Sequence, residues 1–232
     1  MRRFVVVRHG QSEFNAQNRF TGWMDSPLTA LGEDEARRAG ALLNGAGFRF
    51  DRIYSSVLIR CTESARLIRE ELGQPELPII TSWRLNERHY GRLQGLDKAE
   101  TTAQFGEPQV TRWRRSYDMR PPASSAHANR DLRQDTRYAA LSPNDFPLTE
   151  SLADTVQRVV PYWIGEIAPG IQSGLSVLIV AHGNSIRALI KYLDDLSDTA
   201  IVSVNIPTGI PQVFELADDL QPLRHYYLDG DQ

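Results

Sequence analysis

Cysteine is nearly absent from this sequence: among 232 residues only Cys61 carries a thiol. That excludes an intramolecular disulfide and a thiolate metal cluster, and it fits a reducing compartment. On its own Cys61 reads as a core residue. Long apolar runs are missing as well. Met1-Arg-Arg is followed by only four strongly apolar residues, Phe4 to Val7, too few for a signal peptide. No stretch approaches the ~20 apolar residues of a membrane span. A large charge excess is also lacking, since 26 Lys and Arg against 29 Asp and Glu leave a formal net charge of −3. Nothing global therefore suggests nucleic acid or a membrane as partner. A cytoplasmic protein is the expectation.

What is present is an apolar content of 41%, enough for a substantial core. Short apolar runs alternate with segments of helical period, the pattern of βαβ units around a parallel sheet. The expected fold is α/β, a three-layer sandwich whose mostly parallel central sheet is flanked by helices, with one antiparallel edge strand. Strands are predicted at 4–7, 51–54, 78–81, 175–181 and, at an edge, 212–216. Thr29 is placed to cap a helix with Ala36, Ala39 and Leu43 on one face, stopped by Gly45 and Gly47. Ser56 is assigned the cap of a second helix carrying Cys61, Ala65, Ile68 and Leu72. A third helix shows Ile186, Leu189, Ile190 and Leu193 at helical spacing. One domain over 1–232 is expected, with a polar, proline-bounded, lid-like insertion around 121–147.

A short echo runs through this pattern. Val5-Val-Val-Arg-His-Gly-Gln-Ser12 resembles Leu178-Ile-Val-Ala-His-Gly-Asn-Ser185, each an apolar strand ending in His-Gly-amide-Ser. Ligands of open α/β sheets bind beyond the carboxyl ends of the strands, so neighbouring strands would bring His9 and His182 to one pocket. The glycine after each histidine allows a sharp turn and leaves N–H groups for an anion. A metal site is the competing reading, weakened by the want of a third ligand. Arg8, Arg60, Arg114 and Arg115 offer planar forks suited to phosphate and carboxylate oxygens.

With these stand Asn18-Arg-Phe-Thr-Gly-Trp23, Tyr54-Ser-Ser-Val-Leu58, Ser82-Trp-Arg-Leu-Asn-Glu-Arg-His-Tyr-Gly91, Leu93-Gln-Gly-Leu96, Trp113-Arg-Arg-Ser116 and Asn205-Ile-Pro-Thr-Gly209. Together the motifs resemble the 2,3-bisphosphoglycerate-dependent phosphoglycerate mutases of the histidine phosphatase superfamily, over nearly the whole chain. Arg-His-Gly points to the superfamily; the stretch around Glu87 and Asn-Ile-Pro-Thr-Gly point to the mutase branch.

The resemblance implies interconversion of 3-phosphoglycerate and 2-phosphoglycerate in glycolysis and gluconeogenesis, through a phosphohistidine primed by 2,3-bisphosphoglycerate and without a metal. It makes His9 the nucleophile, Glu87 the general acid and base, and His182 an imidazolium beside Arg8, Arg60 and the Gly183 N–H at the phosphoryl oxygens. Asn15 and Asn184 would hold a ring or a phosphate oxygen. The remaining substrate contacts it implies are Gly10, Gln11, Ser12, Glu13, Phe14, Thr21, Gly22, Arg88, His89, Tyr90, Lys98, Arg114 and Arg115. Relatives are often homodimers or homotetramers, which is the assembly it implies. The sequence departs from the pattern in three places: Phe14 stands where tryptophan is common, Ile59 and Cys61 flank Arg60 where lysine and alanine are usual, and the tail 229–232 is short, so less cover for the site is expected. A phosphohistidine open to water is hydrolysed, which keeps a phosphatase of small phosphate esters and a bisphosphoglycerate synthase/phosphatase as alternatives. A non-catalytic phosphometabolite-binding module is disfavoured by His9, His182, Glu87, Arg8 and Arg60 occurring together.

Overall fold

A computed structural model describes residues 1–125, 127, 129–142 and 145–228; the tail 229–232 lies outside the described residues. In chain order the elements are β1 (Arg2–Arg8), α1 (Glu13–Ala16), α2 (Ala30–Gly45), β2 (Arg52–Ser55), α3 (Ile59–Glu71), β3 (Ile79–Thr81), α4 (Lys98–Phe105), α5 (Glu107–Arg115), α6 (Arg130–Gln134), α7 (Leu152–Tyr162), α8 (Ala168–Gln172), β4 (Val177–Ala181), α9 (Gly183–Leu193), β5 (Gln212–Leu216) and β6 (Pro222–Tyr227). Pro161 brings no N–H to the helical ladder, and a wide turn at Trp163–Ile167 follows it, joining α7 to α8.

The six strands form one sheet in the order β3-β2-β4-β1-β5-β6. β1, β2, β3 and β4 run parallel, whereas β5 pairs antiparallel with both β1 and β6. The antiparallel strand is therefore one in from the edge. The true edge is β6, whose Pro222-Leu-Arg-His-Tyr-Tyr227 has too little apolar alternation to read as a strand from sequence.

Alternation along β1 builds the three layers. Phe4 and Val6 face one side, with Val177, Ile179 and Phe214, and pack on Leu152, Val159, Trp163, Ile186 and Ile190 of the helices there. Val5 and Val7 face the other, with Leu178 and Val180, and pack on Ala36, Ala39, Leu43, Cys61, Ala65 and Ile68 of α2 and α3. Phe4 stacks on Phe214 with ring centroids 4.8 Å apart; truncating such a ring to alanine costs about 3–5 kcal/mol.

Several described residues of the segment 121–147 pack against the body of the fold. Tyr138 and Phe146 close on the fully buried Trp23 at centroid distances of 5.1 and 5.3 Å. Arg137 donates to Val57 O at 3.0 Å and pairs with Asp25 at 2.7 Å. Two isolated aromatics leave no periodicity to read, which is why the sequence shows only a polar loop here. None of the segment's described residues lines the cavity presented next.

Candidate active site

The register of the central strands decides what meets what. Arg8 pairs with Ala181 across β1 and β4, so the residues following each strand, His9 and His182, emerge side by side. Their ring centroids lie 4.9 Å apart. Thr208 bridges to Arg8, and Gly209 N donates to Arg8 O at 2.9 Å, so Asn-Ile-Pro-Thr-Gly closes the end of β1.

His9 is 3% exposed. Its Nδ1 lies 2.7 Å from Gly10 O, a contact that only a protonated Nδ1 can make as a hydrogen bond, and this leaves Nε2 as the lone-pair nitrogen. Burial, then Arg60 and Arg8, push its pKa well below the usual histidine value. The ring is neutral at physiological pH, as a nucleophile must be.

His182 is fully buried. Its Nε2 is 2.7 Å from Ser56 Oγ and 3.2 Å from Cys61 Sγ. Burial first, then Arg60 and His9, push its pKa well below the usual value too. Before any anion binds, burial first and the neighbouring guanidinium of Arg60 second thus favour the neutral His182 ring over the expected imidazolium. Ser56 is not the helix cap the sequence suggested. Leu58 is the N-cap of α3, and Asp25 accepts from Ile59 N at 2.9 Å there. The serine is instead spent on His182, and Cys61 is a core residue that also touches the ring.

A cavity of about 300 Å³ opens in front of His9. Arg8, Arg19, Arg60, Lys98, Arg114, Arg115 and Arg187 line it together with a single carboxylate, Glu87. Arg60 is held by Gly22 O at 2.8 Å and Met24 O at 3.0 Å, and burial lowers its pKa. Arg8 donates from Nη1 to Ile206 O at 2.7 Å while its buried Nε has no partner. A Cβ on Gly183 would stand 3.8 Å from that Nε and 3.9 Å from Glu87 Oε2, so glycine keeps the space between them open. Burial and the nearby Arg114 and Arg8 bring Lys98 down to about 8. Such a concentration of positive charge in one pocket favours anionic groups.

Glu87 is held from one side only. Its Oε1 accepts from Arg88 N at 2.7 Å, Asn184 Nδ2 at 2.7 Å and Asn184 N at 3.3 Å. Asn184 thus grips the carboxylate. Its amide orientation is fixed by Arg187 Nη1, which donates to Oδ1 at 3.0 Å.

Thr21, Gly22, Tyr90, Lys98, Arg114, Arg115, Gly183, Asn184 and Asn15 line the cavity as expected, the last with its Oδ1 taken by Ser12 N at 3.2 Å. Several predicted contacts do not. Gly10 is a glycine because a Cβ there would meet Gly32 O at 2.0 Å, a close approach to α2. Gln11 bonds Thr29 at 3.0 Å, Ser12 caps α1, and Glu13 is exposed on that helix. Phe14 lies beneath Arg19 at 4.8 Å. Arg88 is buried behind the wall, donating to Arg114 O at 2.7 Å and Tyr90 OH at 3.2 Å, with no ion pair to Glu87. His89 turns inward beside Trp23. Conversely, Arg19, Phe20, Arg187, Asn205 and Ile206 reach the cavity without having been singled out. Arg187 was legible three positions after Asn184 on one helix face, and the other four sit inside quoted motifs.

Among the described residues, no group of three or more His, Cys, Asp or Glu side chains is placed to hold a metal ion, and no helix is long and apolar enough to cross a membrane.

Two buried histidines at adjacent strand ends, ringed by arginines, form a site built to take up a phosphoryl group. The chain belongs to the histidine phosphatase superfamily, branch 1, whose family model matches residues 4–228. Among solved structures it is similar to a mycobacterial glucosyl-3-phosphoglycerate phosphatase in complex with VO3, at 25% identity and TM-score 0.73, over 98% of this chain and 97% of that one. It also shares its fold with a putative alpha-ribazole-5'-P phosphatase from Escherichia coli, at 22% identity and TM-score 0.71 over 98% and 97% of the two chains. A third fold relative is YhfR of Bacillus stearothermophilus, at 24% identity and TM-score 0.70 over 93% and 91%.

Proposed function

We propose that the protein interconverts 3-phosphoglycerate and 2-phosphoglycerate through a phosphohistidine on His9, with 2,3-bisphosphoglycerate as primer. The observation that carries this reading is the second cationic wall. Beyond the Arg8–His9–Arg60 centre, the cavity continues to Lys98, Arg114, Arg115 and Arg187. A monophosphoglycerate brings a charge of about −2.5 to −3, and the bisphosphate more. These side chains suit its carboxylate and second phosphate while it reorients.

The residues divide the work as phosphoryl transfer requires, by positioning and charge. His9 Nε2 attacks phosphorus in line with the leaving oxygen. Arg8, Arg60 and the Gly183 N–H face the equatorial oxygens. His182 backs the phosphoryl group, and an incoming dianion favours its protonation, opposite to the effect of the arginines. Glu87 gives a proton to the leaving oxygen and takes one from the attacking hydroxyl.

Hydrolysis is the second reading, and the names of the similar solved structures favour it: two of those three are phosphatases. The two readings share every step up to the phosphohistidine and part at the acceptor, a substrate hydroxyl or water. One assay separates them. With 3-phosphoglycerate and catalytic 2,3-bisphosphoglycerate in EDTA, 2-phosphoglycerate formation is expected to exceed phosphate release by about 100-fold, the scale of one well-oriented acceptor over solvent. Phosphate release equal to or faster than isomerisation would make the protein a phosphatase.

A further inference from the structure

Glu87 sits on a stretch with little regular hydrogen bonding, between one tight turn at Trp83–Leu85 and another at Gly91–Leu93. Its carriage must come from elsewhere. Arg158 of α7 supplies it. Nη1 donates to Arg84 O at 2.7 Å and Asn86 O at 2.9 Å, Nη2 donates to Glu87 O at 3.0 Å, and Nε donates to Glu150 Oε1 at 2.7 Å. The remaining Nη2 proton reaches Glu150 Oε2 at 3.0 Å. All five N–H groups of the fork are used.

Glu150 completes the clamp. Its Oε2 accepts from His89 N at 2.7 Å, and its own N donates to His89 O at 2.8 Å. Both side chains are buried, and neither reaches the cavity. A buried ion pair is a poor source of stability, since desolvation offsets its attraction and apolar substitutes often do as well. This pair directs three of its five donors onto the backbone of one loop, which favours geometry as its use.

We propose that Arg158 and Glu150 are positioning residues that hold the Glu87 carboxylate where it exchanges a proton with the substrate oxygen. The role rests on the phosphohistidine reading above. In that step the P–O bond breaks, a P–N bond to His9 Nε2 forms, and the leaving oxygen takes the proton of the Glu87 carboxyl. An alkyl oxygen needs that proton. A nitrophenolate leaves as a stable anion and does not.

The test compares the two leaving groups in Arg158→Lys, which keeps a positive charge beside Glu150 but lacks the fork. Turnover of 3-phosphoglycerate is expected to fall by about 100-fold, the usual consequence of a displacement near 1 Å. The burst of p-nitrophenolate from p-nitrophenyl phosphate, read in the first turnover, should stay within about threefold of the unaltered protein. A burst that falls in step with 3-phosphoglycerate turnover, or no change in either, overturns the positioning role. Absence of an acid-labile phosphoryl group on the unaltered protein after incubation with 2,3-bisphosphoglycerate overturns the phosphohistidine reading and this role with it. Should Arg158→Lys not fold, Glu150→Gln carries the same comparison, with a smaller selective loss of about tenfold.

Discussion

The two His-Gly strand ends look like copies in the sequence and behave as opposites in the fold. His9 donates from Nδ1 to the carbonyl of its own glycine and presents Nε2 to the cavity. His182 has its Nε2 occupied by Ser56 and Cys61 and does not line the cavity at all. The glycines differ in the same way. Gly10 is forced by contact with α2, whereas Gly183 keeps open the space between Arg8 and Glu87. A shared motif therefore marks a shared location, and the partners that the rest of the chain brings to each ring decide what it does. Residues 54–61 belong to neither end, yet they supply Arg60 to the field around both rings and Ser56 and Cys61 to His182 alone.

The strongest way to break this contrast is to remove each ring in turn. In His9→Ala, labelling by 2,3-bisphosphoglycerate is expected to vanish and turnover to fall by about 10⁴-fold or more, as for other covalent nucleophiles. In His182→Ala, one phosphoryl group per chain should still be taken up, with the rate lowered by about 10²–10³, the scale of electrostatic stabilisation lost when a ring 4.9 Å from His9 is removed. Acid-labile label measured by phosphorus NMR reads both. A label that survives in His9→Ala, or an equal loss in both variants, would erase the distinction.

A milder test leaves both rings in place and loosens only one. Ser56→Ala removes the 2.7 Å partner of His182 Nε2 and touches nothing of His9. Losing a buried hydrogen bond costs about 1–3 kcal/mol, so kcat should drop roughly tenfold while KM holds. Nitrogen NMR of the imidazoles should move the His182 resonances and leave those of His9 in place. Movement of both would mean the two rings act as one unit.

How much of this could be read beforehand follows from what each feature depends on. The parallel strands β1 and β4 were legible because runs such as Leu178-Ile-Val-Ala181 are apolar on both faces, as buried parallel strands must be. Edge strand β6 was not, since Leu223, Arg224 and His225 are exposed one after another on both faces of the strand and leave no alternation. In the site, His9 and His182 follow β1 and β4 directly, and the spacing alone brings them together. Arg88 and His89 lie off the cavity wall, which could not be read beforehand because Glu87, Arg88 and His89 lie on an irregular stretch, where no period tells which side chain turns inward. Arg158 and Glu150, which set that direction, are 71 and 63 positions from Glu87 in sequence and carry no motif of their own.

The effect with the least bearing on turnover concerns acid, and it asks whether the buried rings are neutral in the fold. His9, His182 and His89 all have pKa values pushed below 6.5 by burial, His89 to about 4. Below pH 6.5 the unfolded chain binds protons at these rings and the folded chain does not. Stability therefore falls as pH drops through this window, with a slope of about 1.4 kcal/mol per pH unit for each such ring. For His89 the window runs from 6.5 to about 4, a total of roughly 3 kcal/mol. Carboxylates held by arginine, such as Asp154 at about 2, add their loss only at still lower pH, below the ~4 of an unfolded carboxyl. Urea midpoints measured at pH 7, 6 and 5 should decline in the unaltered protein, and His89→Gln should decline less steeply, by about one ring's share of the slope. A flat profile would mean that all three rings accept protons without leaving the fold, and the neutral reading of both strand ends would fall with it.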